Sequence, residues 1–178
     1  ESHYVLDLLF NNTSDIIPSM HSTDSMGINQ INFILLYLFG YMFAPRYKNL
    51  NSKSKMIYSF KSINEYQDFL FKPIRRIKTE IIKEEWENIQ KIIASLALKS
   101  TTQSTIIRKL NSYKRRNKAK KALVELDNII KSVHILNYID SIELRRIIQK
   151  VINRGESYHK LKRAIRYDNL GKFRVKTD

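Results

Sequence analysis

The chain has 178 residues, 43% of them apolar, and a formal net charge of +15 at pH 7. That length suits one domain, or one core with an insertion. The absence of cysteine excludes a disulfide framework and a thiolate zinc site, and the longest apolar run, Phe33 to Phe39, is far shorter than the roughly 20 residues a bilayer-spanning helix needs.

The charge is unevenly distributed. Residues 1–45 hold Glu1, Asp7, Asp15 and Asp24 but no Lys or Arg, and all 32 cations lie in residues 46–178. A cation-free opening joined to a strongly basic remainder points to a polyanionic partner, nucleic acid first, and no membrane. The opening Glu1-Ser2-His3-Tyr4 has no basic stretch and no initiator methionine, so it does not read as a signal peptide. The chain reads as a piece of something longer, with a bacterial cytoplasm as the default compartment.

In chain order, Val5, Leu6, Leu9 and Phe10 share one face of a predicted helix over 3–10. The polar run 11–15 ends it, and Ile16 to His21 reads as a short strand with Pro18 near its start. Asp24 sits where that strand ends, inside Met20-His21-Ser22-Thr23-Asp24-Ser25-Met26-Gly27. An extended piece, a turn and a buried element is how many phosphoryl-transfer folds present a metal-binding Asp. A turn Asp or a helix cap fits the same residues. Asn29 to Leu38 is apolar almost all round and reads as a buried helix ending at Gly40, with a strand as the alternative. Tyr41 to Arg46 reads as an edge strand.

Met56 to Phe60 fits a strand, and Asn64 to Phe71 a short helix. Arg75, Arg76 and Lys78 form a small basic cluster. From Thr79, read as an N-cap, a helical stripe runs through Ile81, Ile82, Trp86, Ile89, Ile92, Ile93 and Leu96, with Trp86 expected in the core. A helix from Ser104 turns Ile106, Ile107 and Leu110 inward. Residues 108–121 then carry eight cations and no acid, including Lys114, Arg115 and Arg116. Such a block suits phosphate binding, or is a solvated basic face.

Ala122 to Ile139 is a predicted amphipathic helix with Leu123, Leu126, Ile129, Ile130, Val133 and Leu136 inward. Asp140-Ser141-Ile142-Glu143 resembles a capping box starting the next helix. That helix is expected to stop at Asn153-Arg154-Gly155, so that Glu156 opens a last one, where its carboxylate gains from the helix dipole. Leu161, Ala164 and Ile165 are expected on that helix's inner face.

Several blocks follow one another in a fixed order. They are His21 to Gly27, Phe43-Ala44-Pro45-Arg46, Trp86-Glu87-Asn88-Ile89, Leu110-Asn111-Ser112-Tyr113, Leu144-Arg145-Arg146, Asn153-Arg154-Gly155-Glu156 and Leu161 to Ile165. Together they resemble the C-terminal catalytic region of the Tn-three family of replicative transposases, over nearly the whole chain. The resemblance implies an α+β, mostly helical fold. It would hold a partial RNase H-like (retroviral-integrase-like) core of the DDE type, with a large all-α insertion before the last catalytic Glu. Residues 1–50 would be core, 51–140 mainly the helical insertion, and 141–178 the final core helices.

In that family two aspartates and a glutamate hold two divalent ions, Mg2+ with Mn2+ able to substitute. Asp24 matches the second Asp and Glu156 the Glu. The first Asp has no match here, so the chain is expected to be inactive alone. The implied chemistry is DNA 3′-end cleavage and strand transfer on transposon ends and target DNA. The full-length protein would be a homo-oligomer, cytoplasmic and nucleoid-associated during transposition. By position and charge, Arg46, Lys160 and Arg163 are candidates for DNA phosphates near the site, and Lys114, Arg115 and Arg116 for DNA further out. His21 either orients Asp24 or packs under its strand. The alternatives are a non-catalytic basic module that binds DNA through residues 108–121, and a helical scaffold.

Overall fold

The computed structural model describes residues 2–24, 31–112 and 117–166. The elements are mostly helices with four short strands: α1 (Val5–Phe10), β1 (Met20–His21), α2 (Asn32–Leu38), β2 (Met42–Phe43), α3 (Leu50–Ser54), β3 (Tyr58–Ser59), β4 (Arg75–Arg76), α4 (Thr79–Glu84), α5 (Trp86–Ala97), α6 (Gln103–Ser112), α7 (Lys118–Asp140) and α8 (Ile142–Arg166). Single 3-10 turns precede α1 at Ser2–Tyr4 and follow β3 at Ile63–Tyr66. The latter stands where a longer helix over 64–71 was expected.

β1 and β2 pair in parallel, Met20 opposite Met42 and His21 opposite Phe43, with α2 as the crossover. The pairing outruns the strands proper: Met42 N–H donates to Ser19 O at 2.9 Å, Ala44 N–H to His21 O at 2.9 Å and Arg46 N–H to Thr23 O at 2.8 Å. The expected strand over 16–21 is therefore shifted toward Asp24. Its first half is lost because Asn12 closes a turn, donating from Nδ2 to Ile16 O at 2.7 Å and accepting from Ser14 N–H. Ile16 and Ile17 are left exposed. β3 and β4 form a second parallel pair.

The predicted helix from Thr79 to Leu96 breaks at Glu85, whose backbone has left helical geometry. Thr79 is the first helical residue, with Lys78 at the cap position. Ile89 and Leu96 are buried as expected, but Trp86, at the start of α5, is 46% exposed instead of in the core. Ile106, Ile107 and Leu110 of α6 are buried. Ile106 and Leu110 join Leu6, Ile34, Leu35, Ile89, Leu96 and Leu123 in the larger core. A second core gathers Ala44, Tyr47, Ile57, Ile135, Tyr138 and Ile148. Each Leu or Ile among them contributes roughly 1.5–3 kcal/mol when fully buried.

α7 belongs to both cores, and its packing departs from the predicted stripe. Leu123 is buried, but Val133 and Leu136 are 51% and 43% exposed. Buried in their stead are Glu125, Asp127, Asn128, Ser132 and His134. Three of these side chains, Glu125, Asp127 and Ser132, complete backbone bonds of other elements. Asp127 Oδ1 accepts from Ile34 N–H at 3.1 Å, near the start of α2. Glu125 Oε2 accepts from Lys78 N–H at 3.2 Å, before α4. Ser132 Oγ accepts from Tyr58 N–H at 2.9 Å. The first N–H groups of a helix have no partner within it, so α7 caps α2 and α4 from outside. A fully paired buried polar group is compatible with a core, whereas an unpaired one costs about 1–3 kcal/mol.

Asp7 caps α6 in the same way. Its two oxygens accept from Gln103 N–H at 2.7 Å and Ser104 N–H at 3.3 Å. The buried Gln103 side chain accepts from Leu6 N–H at 2.7 Å and donates to Asn32 Oδ1 at 2.7 Å, tying α6 to α1 and α2.

α8 runs unbroken from Ile142 to Arg166, correcting the expected stop at Asn153-Arg154-Gly155. Ser141 Oγ caps it by accepting from Leu144 N–H at 3.1 Å. Its first half packs Leu144, Ile148 and Ile152 into the second core. Leu161, Ala164 and Ile165, expected inward, are exposed among the described residues. Gly155 costs the helix interior about 0.5–1 kcal/mol relative to Ala, which one glycine among 25 residues does not make decisive.

Candidate active site

The parallel pairing places Asp24 one residue past Thr23, the last residue of its strand bonded to the neighbour. Asp24 is exposed there. Opposite it, Arg46 leaves β2 and its Nη1 donates to Gln149 Oε1 on α8 at 3.3 Å. Gln149 Nε2 in turn donates to Asn153 Oδ1 at 2.7 Å. At 100° per residue, Gln149, Asn153, Glu156, Lys160 and Arg163 (i, i+4, i+7, i+11 and i+14) share one face of α8. All five are exposed. Glu156 lies about 10 Å along the helix axis from Gln149.

The Arg46–Gln149 hydrogen bond thus links the strand paired beside Asp24 to the helix face carrying Glu156. Glu156 sits well inside α8, and the dipole argument made for it as a helix-opening residue falls, because that effect is confined to the first turn. Among the described residues no group of three or more His, Cys, Asp or Glu side chains is placed to hold a metal ion. Lys114, Arg115 and Arg116 lie outside the described residues, as do Ser25, Met26 and Gly27. Gln149 is not among the residues the sequence singles out, and Asn153 enters there only in the expected helix stop and the block ending at Glu156. Their spacing to Glu156 becomes a signal only when 142–166 is read as one helix.

The support beneath the site is apolar and neutral. The His21 ring stacks on Phe43 at 6.2 Å with planes 11° apart, and burial lowers its pKa, so it packs under the strand. His134 Nε2 lies 3.4 Å from Pro45 O, holding the chain just before Arg46. Burial pulls His134 down to about 4 and leaves it neutral near pH 7. Its ring lies among Phe33, Tyr47 and Tyr138.

Asp127 is the opposite case. Burial raises its carboxyl from the ordinary 3.8 to about 6, against the backbone N–H groups of Ile34, Ile31 and Phe33, which favour the charge. A folded value above the unfolded one means the native state takes up this proton first. From Asp127 the protein gains stability as pH falls from about 6 toward 4. His134 works against it, losing stability between about 6.5 and 4. Asp127→Asn removes only the first contribution. The stability of that variant minus that of the parent should rise by on the order of 2 kcal/mol between pH 4.5 and 7. Urea unfolding at the two pH values checks this, and a difference independent of pH would contradict it.

A family model described as the Tn3 transposase DDE domain matches residues 1–178. Among curated proteins, the transposase for transposon Tn1546 of Enterococcus faecium is 36% identical over 98% of this chain. The transposase for transposon Tn501 of Pseudomonas aeruginosa is 32% identical, and that for transposon gamma-delta of Escherichia coli K12 is 30% identical, each over 98% of this chain. The chain spans 17% of the length of each of these relatives. No solved structure matches.

Proposed function

The chain belongs to the Tn3 transposase DDE domain family, and on that premise we propose that it is a segment of a DNA transposase catalytic domain. Its reaction is phosphoryl transfer, DNA 3′-end cleavage followed by strand transfer, on transposon ends and target DNA. The observation that carries the reading is the Arg46–Gln149 hydrogen bond, which links the strand paired beside Asp24 to the helix face bearing Glu156. The β1–α2–β2 parallel unit supports a partial RNase H-like core in residues 1–50. On this reading 51–140 is mainly the helical insertion and 141–178 returns to the core.

Asp24 and Glu156 would hold the divalent ions, Mg2+ or Mn2+. Hard carboxylate oxygens suit these ions, and exposure leaves room for the waters and phosphate oxygens that Mg2+ retains in its shell. Bound ions supply Lewis acidity at the scissile phosphate. The chain's own residues do the rest. Arg46 orients Gln149 and keeps β2 against α8. Lys160 and Arg163, one and two turns past Glu156 on its face, give phosphates a cationic seat. The family's first Asp has no match in this chain; on this reading the segment alone is inactive, and the full-length protein acts on DNA as a homo-oligomer. Strand-transfer assays on a polypeptide of the relatives' length test the reading through Asp24→Asn and Glu156→Gln. Loss of transfer with DNA binding retained is the expected result, and unchanged transfer would sink it.

A further inference from the structure

Beside the Glu156 face, α8 carries a second polar strip. Arg146, Gln149, Lys150, Asn153, Arg154 and Ser157 line a shallow, open groove along the surface of α8. Arg146, Lys150 and Arg154 recur every four residues and are exposed. None of the three is in an ion pair with a described residue, the ion pairs there being Lys61–Glu65, Arg75–Glu125 and Lys118–Glu84. Each step of four residues rises about 6 Å along the helix, comparable to the spacing of successive phosphates on one nucleic-acid strand. Gln149 and Asn153 line the groove and also belong to the Glu156 face, so the two strips are continuous. The nearest acids in sequence are Glu143, three residues before Arg146, and Glu156, two residues beyond Arg154.

We propose that this groove is a DNA-backbone track: Arg146, Lys150 and Arg154 hold successive phosphates of one strand and lead it along α8 to the Glu156 face. The proposal rests on the transposase reading for the identity of the polyanion and assigns it a path. Asn153 and Ser157 add neutral donors to the same phosphates. The contacts are to phosphate, so the track serves transposon-end and target duplexes alike and carries no sequence preference.

The test uses the 178-residue chain in EDTA, where no metal chemistry contributes. Fluorescence anisotropy follows its binding to a random-sequence duplex and a transposon-end duplex over a salt series. Each phosphate contact contributes about 0.9 to the slope of log K against log salt. The triple variant Arg146→Gln, Lys150→Gln, Arg154→Gln should lower the slope by about 2 to 3 and weaken binding on the order of 100-fold at 0.1 M salt, equally on both duplexes. A control triple, Lys48→Gln, Lys55→Gln, Lys72→Gln, removes the same charge from exposed sites elsewhere and should leave the slope within about 0.5 of the parent. An unchanged slope in the groove triple, or an equal fall in both triples, would overturn the proposal. Failure of the track shows as an unchanged salt slope in EDTA, and failure of the catalytic reading as unchanged strand transfer in Asp24→Asn or Glu156→Gln, so the two failures give different results.

Discussion

Asp24→Asn or Glu156→Gln, made in a polypeptide of the relatives' length, should lower strand transfer by on the order of 1,000-fold or more while DNA affinity stays within about twofold. The size follows from the role. Losing several kcal/mol of Lewis-acid stabilisation at the scissile phosphate corresponds to at least three decades of rate, at roughly 1.4 kcal/mol per decade. The amides keep the shape of the carboxylates, and both side chains are exposed, so folding stability should change by no more than about 0.5 kcal/mol. Asp24→Cys sharpens the result, because a thiolate is a poor ligand for Mg2+ and a better one for a softer ion. Transfer by that variant should be absent in Mg2+ and partly restored in Mn2+. Restoration by neither ion, with Asp24→Asn fully active, would remove Asp24 from the site.

Glu125→Ala should be the most damaging change to stability, at about 3–5 kcal/mol. Glu125 is buried and takes both forks of Arg75, Nη1 to Oε2 at 2.9 Å and Nη2 to Oε1 at 2.8 Å, as well as Lys78 N–H. The hydrogen bond to Glu125 raises the Arg75 pKa, so the guanidinium keeps its charge. Arg75 also lies 4.8 Å from the centre of the Tyr58 ring, with Lys131 Nζ at 5.2 Å. Removing the carboxylate leaves a half-buried guanidinium without its partner and an uncapped start to α4. It loosens β4 from β3 at the Tyr58–Arg75 register. Urea unfolding with an unchanged m-value checks this. A loss below about 1 kcal/mol would mean that Arg75 finds water instead, as exposed ion pairs do.

The basic cluster read at Arg75, Arg76 and Lys78 shows why composition misassigns such residues. One of its three cations is committed to a carboxylate 50 residues away. Where structure follows from neighbours a few residues apart, the sequence was readable. The buried helix α2 and the inward triad of α6 follow from apolar spacing alone. The polar interior of α7 does not. Glu125, Asp127 and Ser132 are buried because α2, β3 and α4 bring unpaired N–H groups to them, which no window of α7 contains. α8 is the converse. Asn153-Arg154-Gly155 carries local stop chemistry worth about 1 kcal/mol, and the helix runs through it. Reading a stop there put Glu156 at a helix start and hid its alignment with Gln149 and Asn153. The order of blocks that led to Asp24 and Glu156 did not depend on that error.

The central claim is that Asp24 and Glu156 bind divalent ions together. The direct measurement is anomalous scattering from crystals of a polypeptide of the relatives' length, with DNA and Mn2+. The expected result is manganese density within bonding distance of carboxylate oxygens of both residues. Manganese bound elsewhere, with Asp24 and Glu156 each contacting none in an intact fold, would contradict the account.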